Sequence, residues 1–251
     1  MKNNNKFRLD VWGAITLATI ALYALFLLYP MAYLIRQSVM DPDTGGFTLA
    51  YFTKFFSKSY YFDTLINSFK VSITATVLSI AIGTPLAYLF TIFKIKGKGV
   101  LNILIVVASM SAPFIGAYSW ILLLGRSGVI TTFFKDLGIA IPDIYGFGGI
   151  VLVMTLQLFP LVLLYAKGAL KNIDNSLIEA AENLGCSGIA CFFKVVVPLI
   201  MPTLLAAALL VFMRSFADFG TPMLIGEGYR TFPVVLYTEF INEVGGSDGF
   251  A

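Results

Sequence analysis

The sequence predicts an all-α, polytopic membrane protein on three observations. Charge is scarce, with 12% of residues charged against 58% hydrophobic, and the mean hydropathy is +0.86. Five intervals carry no Asp, Glu, Lys or Arg: residues 11–35, 71–93, 99–125, 144–166 and 195–213. Roughly 20 apolar residues span the hydrocarbon core as a helix, and five such intervals speak against a soluble helical core. Basic residues are also unevenly placed. Nine of them crowd the 43 positions of 1–10, 94–98 and 167–194, against eight in the 91 positions of 36–70, 126–143 and 214–251. The denser flanks belong on the cytoplasmic side, which puts the N-terminus and the 167–194 loop inside. The net charge of +3 follows from this segregation and gives no argument for nucleic acid.

The elements follow in order. Residues 1–36 form a basic tail and a first span; the apolar run from Val11 is longer than a signal peptide's core and lacks a small-x-small cleavage site. Residues 37–66 are an outer aromatic segment, in which Tyr51, Phe52, Phe55, Phe56, Tyr60 and Tyr61 interleave with Lys54 and Lys58. Such amphipathic rings sit at headgroup level. Asp41 to Gly46 is turn material. Residues 67–218 are the core of spans two to five. Lys94 to Lys98 reverses the chain between spans two and three, and 126–143 carries one short helix.

The loop 167–198 is the most informative part of the chain. Ser176-Leu177-Ile178-Glu179 fits a capping box. Gly185 supplies a left-handed helix terminator, and a second short helix starts near Ser187. Pro198 interrupts continuation into span five. The expected result is a folded hairpin of short helices. Cys186 and Cys191 lie here with no second pair, and the chain has no His; structural zinc wants four ligands, so packed thiols are the expectation. Residues 219–251 read as an outer loop or re-entrant piece leading to a further span beyond the chain.

Glu179-Ala180-Ala181, Gly185 and Pro198 resemble the EAA loop of binding-protein-dependent ABC importer permeases, inner-membrane subunits of ATP-driven uptake systems with a MetI-like helical bundle. Ile66-Asn67-Ser68 and the loop's place between spans four and five agree. Arg214 to Pro222 and Gly226 to Pro233 resemble the ferric-iron branch; related branches carry sulfate, thiamine, polyamines or phosphonates. The family core has a further span after span five, and iron-type permeases often join two such halves in one polypeptide.

The resemblance implies docking of Glu179, Ala180, Ala181, Glu182, Gly185 and Pro198 on ABC ATPase subunits. It also implies a second permease half, fused or separate, and an extracytoplasmic solute-binding protein. Gly97-Lys98 lacks the surroundings of a Walker A loop, so ATP is expected to be consumed by the partners, with no cofactor, metal or catalytic residue in this chain. For the translocation path, Gln157 is the midplane candidate, near Thr155 and Pro160, with an interhelical hydrogen bond to a neighbouring span as the alternative role for its amide. Arg214 and Asp218, one helical turn apart, could pair; yet Arg214 lies sixteen residues beyond Pro198, about 24 Å along a helix, where it could equally snorkel to the outer headgroups. Ser109, Ser111, Gly116, Ala206 and Ala207 are expected to serve close helix packing. A gradient-driven secondary transporter would favour inverted repeats, and a membrane enzyme would want buried acidic or His clusters; neither pattern is present in the sequence.

Overall fold

The computed structural model describes residues 11–41, 45–93, 96–110, 112–139 and 141–241. The basic tail 1–10, turn residues 42–44, Lys94, Ser111 and the segment from 242 onward lie outside them. Among the described residues the only strand-like pairing is the isolated bridge between Met40 and Phe47. Five helical stretches are long and apolar enough to cross a membrane: Val11–Ser38, Ser59–Ile92, Pro113–Asp136, Phe147–Lys171 and Gly188–Phe216. The chain divides into two compact units, residues 1–62 with 236–251, and Asp63–Val235.

The first unit holds helix α1 (Val11–Ser38) and the aromatic helix α2 (Ala50–Ser57). Gly45, at φ +66, closes the turn before α2, and the Asp41 and Gly46 backbones bond across it. Phe55 stacks on Tyr61, and the Tyr61 hydroxyl lies 3.1 Å from a Glu239 carboxylate oxygen. Phe52 and Phe56 are exposed, as suits rings placed at an interface.

α1 contains a five-residue π segment, Ala24–Leu28, just before Pro30. Proline lacks the N–H that an α-helix needs and its ring crowds the carbonyl of residue i−4. A wider i→i+5 turn, in which the Tyr29 N–H reaches the Ala24 carbonyl, lets the helix pass without breaking.

The second unit is built from α3 (Ser59–Ile92, from Asp63 onward), α4 (Lys98–Ser109), α5 (Pro113–Leu124), α6 (Val129–Asp136), α7 (Phe147–Lys171), α8 (Asn175–Asn183), α9 (Gly188–Phe216), α10 (Gly220–Ile225) and the start of α11 (Phe232–Ile241, as far as Val235). α7 is its axis. The C-terminal half of α7 (Val162, Leu163, Ala166) packs with Ala87 of α3 and Val196, Ile200 and Leu204 of α9. Its N-terminal half (Ile150, Val153, Met154) packs with Val71 and Ala75 of α3, Ala117 of α5 and Ile225 of α10.

α3 meets this core through a stripe of small residues. Thr64, Ser68, Ser72, Ala75, Ser79 and Ala87 are buried, and a Cβ on Gly83 would stand 2.8 Å from the Val162 Cβ. In lipid, where burial of apolar surface drives little helix association, such close backbone approach is a main source of attraction. The sequence reading placed the small-residue packing elsewhere, and the structure corrects it in part. Ala207 is fully buried, but Ala206 is exposed and Ala117, not Gly116, is the buried residue of α5.

Span three is the largest correction. The interval 99–125 is not one helix but two of 12 residues, α4 and α5. Each is about 18 Å long, well short of the bilayer core. Pro113 is the physical cause. It occupies the first turn of α5, and the residue ahead of a proline is pushed out of the helical region; Ala112 accordingly sits at φ −63, ψ 143. Taken together with α6, α5 gives the stretch Pro113–Asp136, which is long and apolar enough to cross a membrane in its place.

Candidate functional site

The loop between α7 and α9 is a hairpin with defined ends. α8 starts at Asn175, two residues earlier than a capping box at Ser176 requires. The cap is Asp174, whose Oδ1 accepts the Ser176 N–H at 3.0 Å. These bonds, from the Ser176 backbone first and its side chain second, hold the Asp174 carboxyl below its ordinary value. At the other end Gly185 has φ +85, and the Cys186 N–H donates to the Ala181 carbonyl at 3.0 Å. That six-to-one bond over a left-handed glycine is a Schellman closure.

The second arm is not a separate short helix. Ser187 precedes α9, which runs on through Pro198 as one 29-residue helix. The π segment Phe192–Val196 absorbs the proline as in α1, with the Val197 N–H reaching the Phe192 carbonyl. Pro198 therefore marks a local widening of a continuous rod, where the sequence suggested an interruption.

One side of the hairpin belongs to the bundle. Ile178 packs on the core, and Cys191 and Phe192 are buried. Neither Cys186 nor Cys191 forms a disulfide among the described residues. The other side faces out. Glu179, Ala180 and Gly185 are exposed and Ala181 is half-buried; the Glu182 side chain lies outside the described residues. Around them stand three apolar side chains that motif reading passed over: Leu184 at 90% exposure, Ile189 at 80% and Phe193 at 64%. Their signal was available, since a Leu beside a helix-ending glycine and a Phe pair before a span have no polar purpose. The hairpin thus has closed ends and presents both exposed apolar side chains and the exposed Glu179.

A second feature is a cleft of about 530 Å³. It lies where α7, the end of α9, the start of α10 and the α4–α5 break come together. The structure brings all three predicted path residues to it: Gln157, Arg214 and Asp218. Apolar walls come from Leu158, Leu161 and Phe219, and Ser109 and Pro113 bring the broken span to the edge. The break in span three is what opens this space, and the sequence reading missed it.

The anticipated Arg214–Asp218 pair does not form. Asp218 turns instead to α10, with Oδ1 accepting the Gly220 N–H at 2.9 Å and the Thr221 N–H at 3.3 Å, and Oδ2 accepting the Thr221 hydroxyl at 2.7 Å. A carboxylate at a helix start meets amides that have no intrahelical partner, which outcompete a long arginine one turn back. α10 also fits closely on α5: a Cβ on Gly220 would stand 3.1 Å from the Pro113 Cβ and 3.2 Å from the Phe114 nitrogen.

The end of α7 away from the hairpin is tied by polar contacts. Arg126 pairs with Asp143 at 3.0 Å and with both Glu227 oxygens at 2.7 and 2.9 Å, and its guanidinium lies 4.8 Å from the Tyr145 ring centre. Glu227 takes φ +48, an uncommon conformation outside glycine. The Gly146 N–H reaches the Ile225 carbonyl at 2.8 Å. Asn67 and Ser68, singled out only as opening span two, hold the returning chain: the Asn67 amide donates to the Arg230 carbonyl at 3.2 Å, and the Ser68 oxygen accepts the Phe232 N–H at 2.8 Å.

The second unit is thus a helical bundle around one axial helix, with apolar stretches long enough to cross a membrane and a capped hairpin at one end of that axis. The chain belongs to the family described as binding-protein-dependent transport system inner membrane component, which it matches over residues 46–246. It is 27% identical over 223 residues to the putative ferric transport system permease protein FbpB 1 of Haemophilus influenzae, covering 88% of this chain and 35% of that protein. It is 29% identical over 232 residues to the spermidine/putrescine transport system permease protein PotB of the same organism, covering 89% of this chain and 79% of that one. The chain thus spans about a third of the ferric relative's length. Its fold matches a chain of a bacterial alginate ABC transporter in complex with an alginate-bound periplasmic protein. The TM-score is 0.78 at 16% identity, over 96% of this chain and 86% of that one.

Proposed function

We propose that this chain is a transmembrane permease subunit of an ATP-driven ABC importer in the bacterial inner membrane, with its N-terminus in the cytoplasm. One observation carries the reading: the α8–α9 hairpin is rigidly closed at both ends, yet leaves Leu184, Ile189 and Phe193 exposed beside Glu179 and Ala180. A loop with no partner gains nothing from exposed apolar side chains on a fixed frame; apolar anchors ringed by polar groups are what a docking site offers. The occupant is an ABC ATPase subunit, which binds and hydrolyses the ATP, while this chain carries no cofactor of its own. The cleft at Gln157, Arg214 and Asp218 is a stretch of the translocation path. A second permease half, fused or separate, completes that path, and an extracytoplasmic binding protein delivers the cargo.

The cargo we propose is ferric iron, supported by the ferric relative and by the resemblance of the segments from Arg214 and from Gly226. The polyamine relative, at similar identity, supports the second reading of the same role. Uptake in cells expressing the complete system tests the docking. Glu179→Lys and Gly185→Asp are expected to abolish it while the protein remains in the membrane at normal levels. Normal uptake by both variants overturns the assignment.

A further inference from the structure

We propose that the cleft beside α10 is an oxyanion site, so that the cargo passes it carrying negative charge, as an oxyanion or as a metal ion still holding oxyanion ligands. The inference rests on the permease reading above and narrows its cargo. Two charged side chains line the cleft, Arg214 and Asp218. They are not equivalent. Asp218 is committed on both oxygens to Gly220 and Thr221. Arg214 makes no hydrogen bond or ion pair among the described residues, and its side chain is exposed in the cleft mouth.

The uncommitted charge is therefore a guanidinium, with five donors in a planar fork that matches an oxyanion. Leu158, Leu161, Phe114 and Phe219 form apolar parts of the same cleft wall. A cleft of about 530 Å³ is ample for phosphate-sized or larger anions. A bare polycation meets the unpaired Arg214 guanidinium at the cleft, while Asp218, still charged, has both oxygens turned to the start of α10 and so is poorly placed to ligate it. The arrangement in this chain favours the ferric reading over the polyamine one.

The test uses the assembled permease and ATPase complex purified in dodecyl maltoside, with radiolabelled inorganic phosphate as the probe. Saturable retention is expected, weakened at least tenfold by Arg214→Gln and kept within threefold by Arg214→Lys. Sulfate should compete and spermidine should not. Absence of saturable binding, equal binding by Arg214→Gln, or displacement by spermidine overturns the proposal. A lipid headgroup offers the same phosphate chemistry, so phosphatidylglycerol is titrated in a parallel arm. If it displaces phosphate through Arg214 while sulfate does not, the site is a lipid anchor and the cargo assignment fails. ATP hydrolysis by the same complex, and its loss in Glu179→Lys, reports on the permease reading separately from anion binding.

Discussion

The two ends of α7 solve opposite problems. At its C-terminal end the hairpin of α8 and early α9 is closed by short local bonds, with Asp174 at one end of α8 and Gly185 at the other. It leaves its apolar side chains outside. At the N-terminal end, segments distant in sequence are drawn together: Arg126 with Asp143 and Glu227, Gly146 with Ile225, and Asn67 with Arg230. There α10 is buried, with Gly220, Thr221, Pro222 and Ile225 all inside. One end is locally rigid and externally incomplete; the other is complete within itself. Under the proposed function, the first design suits coupling to a separate subunit and the second suits holding a path in register.

The largest expected effect separates surface from frame at the hairpin. Leu184→Asp places a charge at the centre of the proposed docking face without touching the bundle, because Leu184 is 90% exposed. Central interface anchors are worth about 2–4 kcal/mol, so coupled uptake should fall about 30-fold or more, with thermal stability in detergent unchanged. If uptake persists, the exposed apolar cluster is not an interface, and the contrast between the two ends loses its meaning.

Next in size is a pair of neighbouring glycines at the tied end. A Cβ on Gly149 would run into the Ile144 carbonyl oxygen, whereas one on Gly148 meets nothing within 4 Å. Gly149→Ala must push the loop entering α7 outward, and forced overpacking of this kind costs about 1–3 kcal/mol. Gly148→Ala should be neutral or stabilising by up to about 1 kcal/mol, since alanine is the better helix former. Thermal unfolding of the two variants in one detergent checks both. Equal behaviour would mean that the tied end is looser than its geometry implies.

How much of this was legible beforehand depends on the range of the interaction. Gly185 as terminator, the short helix within 126–143 and the apolar stretches could be read because neighbours in sequence decide them. The cap was misplaced by two residues because Ser176 and Asp174 both satisfy the local pattern, and only the backbone chooses between them. The reading of span three failed because hydropathy averages over Pro113, where the residue ahead, Ala112, is extended and the helix breaks, unlike at Pro85 or Pro160. The role of Asp218 was not legible: Arg214 was its nearest ionic candidate along the helix, but the amides of α10 arrive from the next element. The tie through Arg126, Asp143 and Glu227 spans 101 residues of sequence, and no periodicity announces it.

Removing that tie should have a smaller effect than disturbing Gly149. The three side chains are 61%, 45% and 53% exposed, and ion pairs so open to water are weakly stabilising. Arg126→Ala is expected to lower thermal stability slightly at low ionic strength. The difference from wild type should vanish near 1 M salt, where the screening length is about 3 Å. A difference that survives high salt would show that stacking on Tyr145, and not charge, holds this corner.

The smallest effect is a pH dependence confined to the hairpin. The Asp174 carboxyl is held below the ordinary value of 3.8, chiefly by the Ser176 backbone N–H and then by its side chain. A carboxylate with a depressed folded pKa contributes stability that is fully present above its unfolded value and is lost as pH falls through the folded one. The cap should therefore be intact at pH 6 and weaken only below about pH 4. Hydrogen exchange at the first amides of α8, corrected for the intrinsic pH dependence of exchange, should rise in that window while α7 stays protected. Asp174→Asn keeps a capping side chain but cannot titrate, so its protection should be flat across the same range. Asp174→Ala should show the frayed pattern at every pH. If wild type and Asp174→Asn respond alike, the start of α8 is held by its packing on the bundle through Ile178, and the hairpin is less self-contained than its bonds suggest.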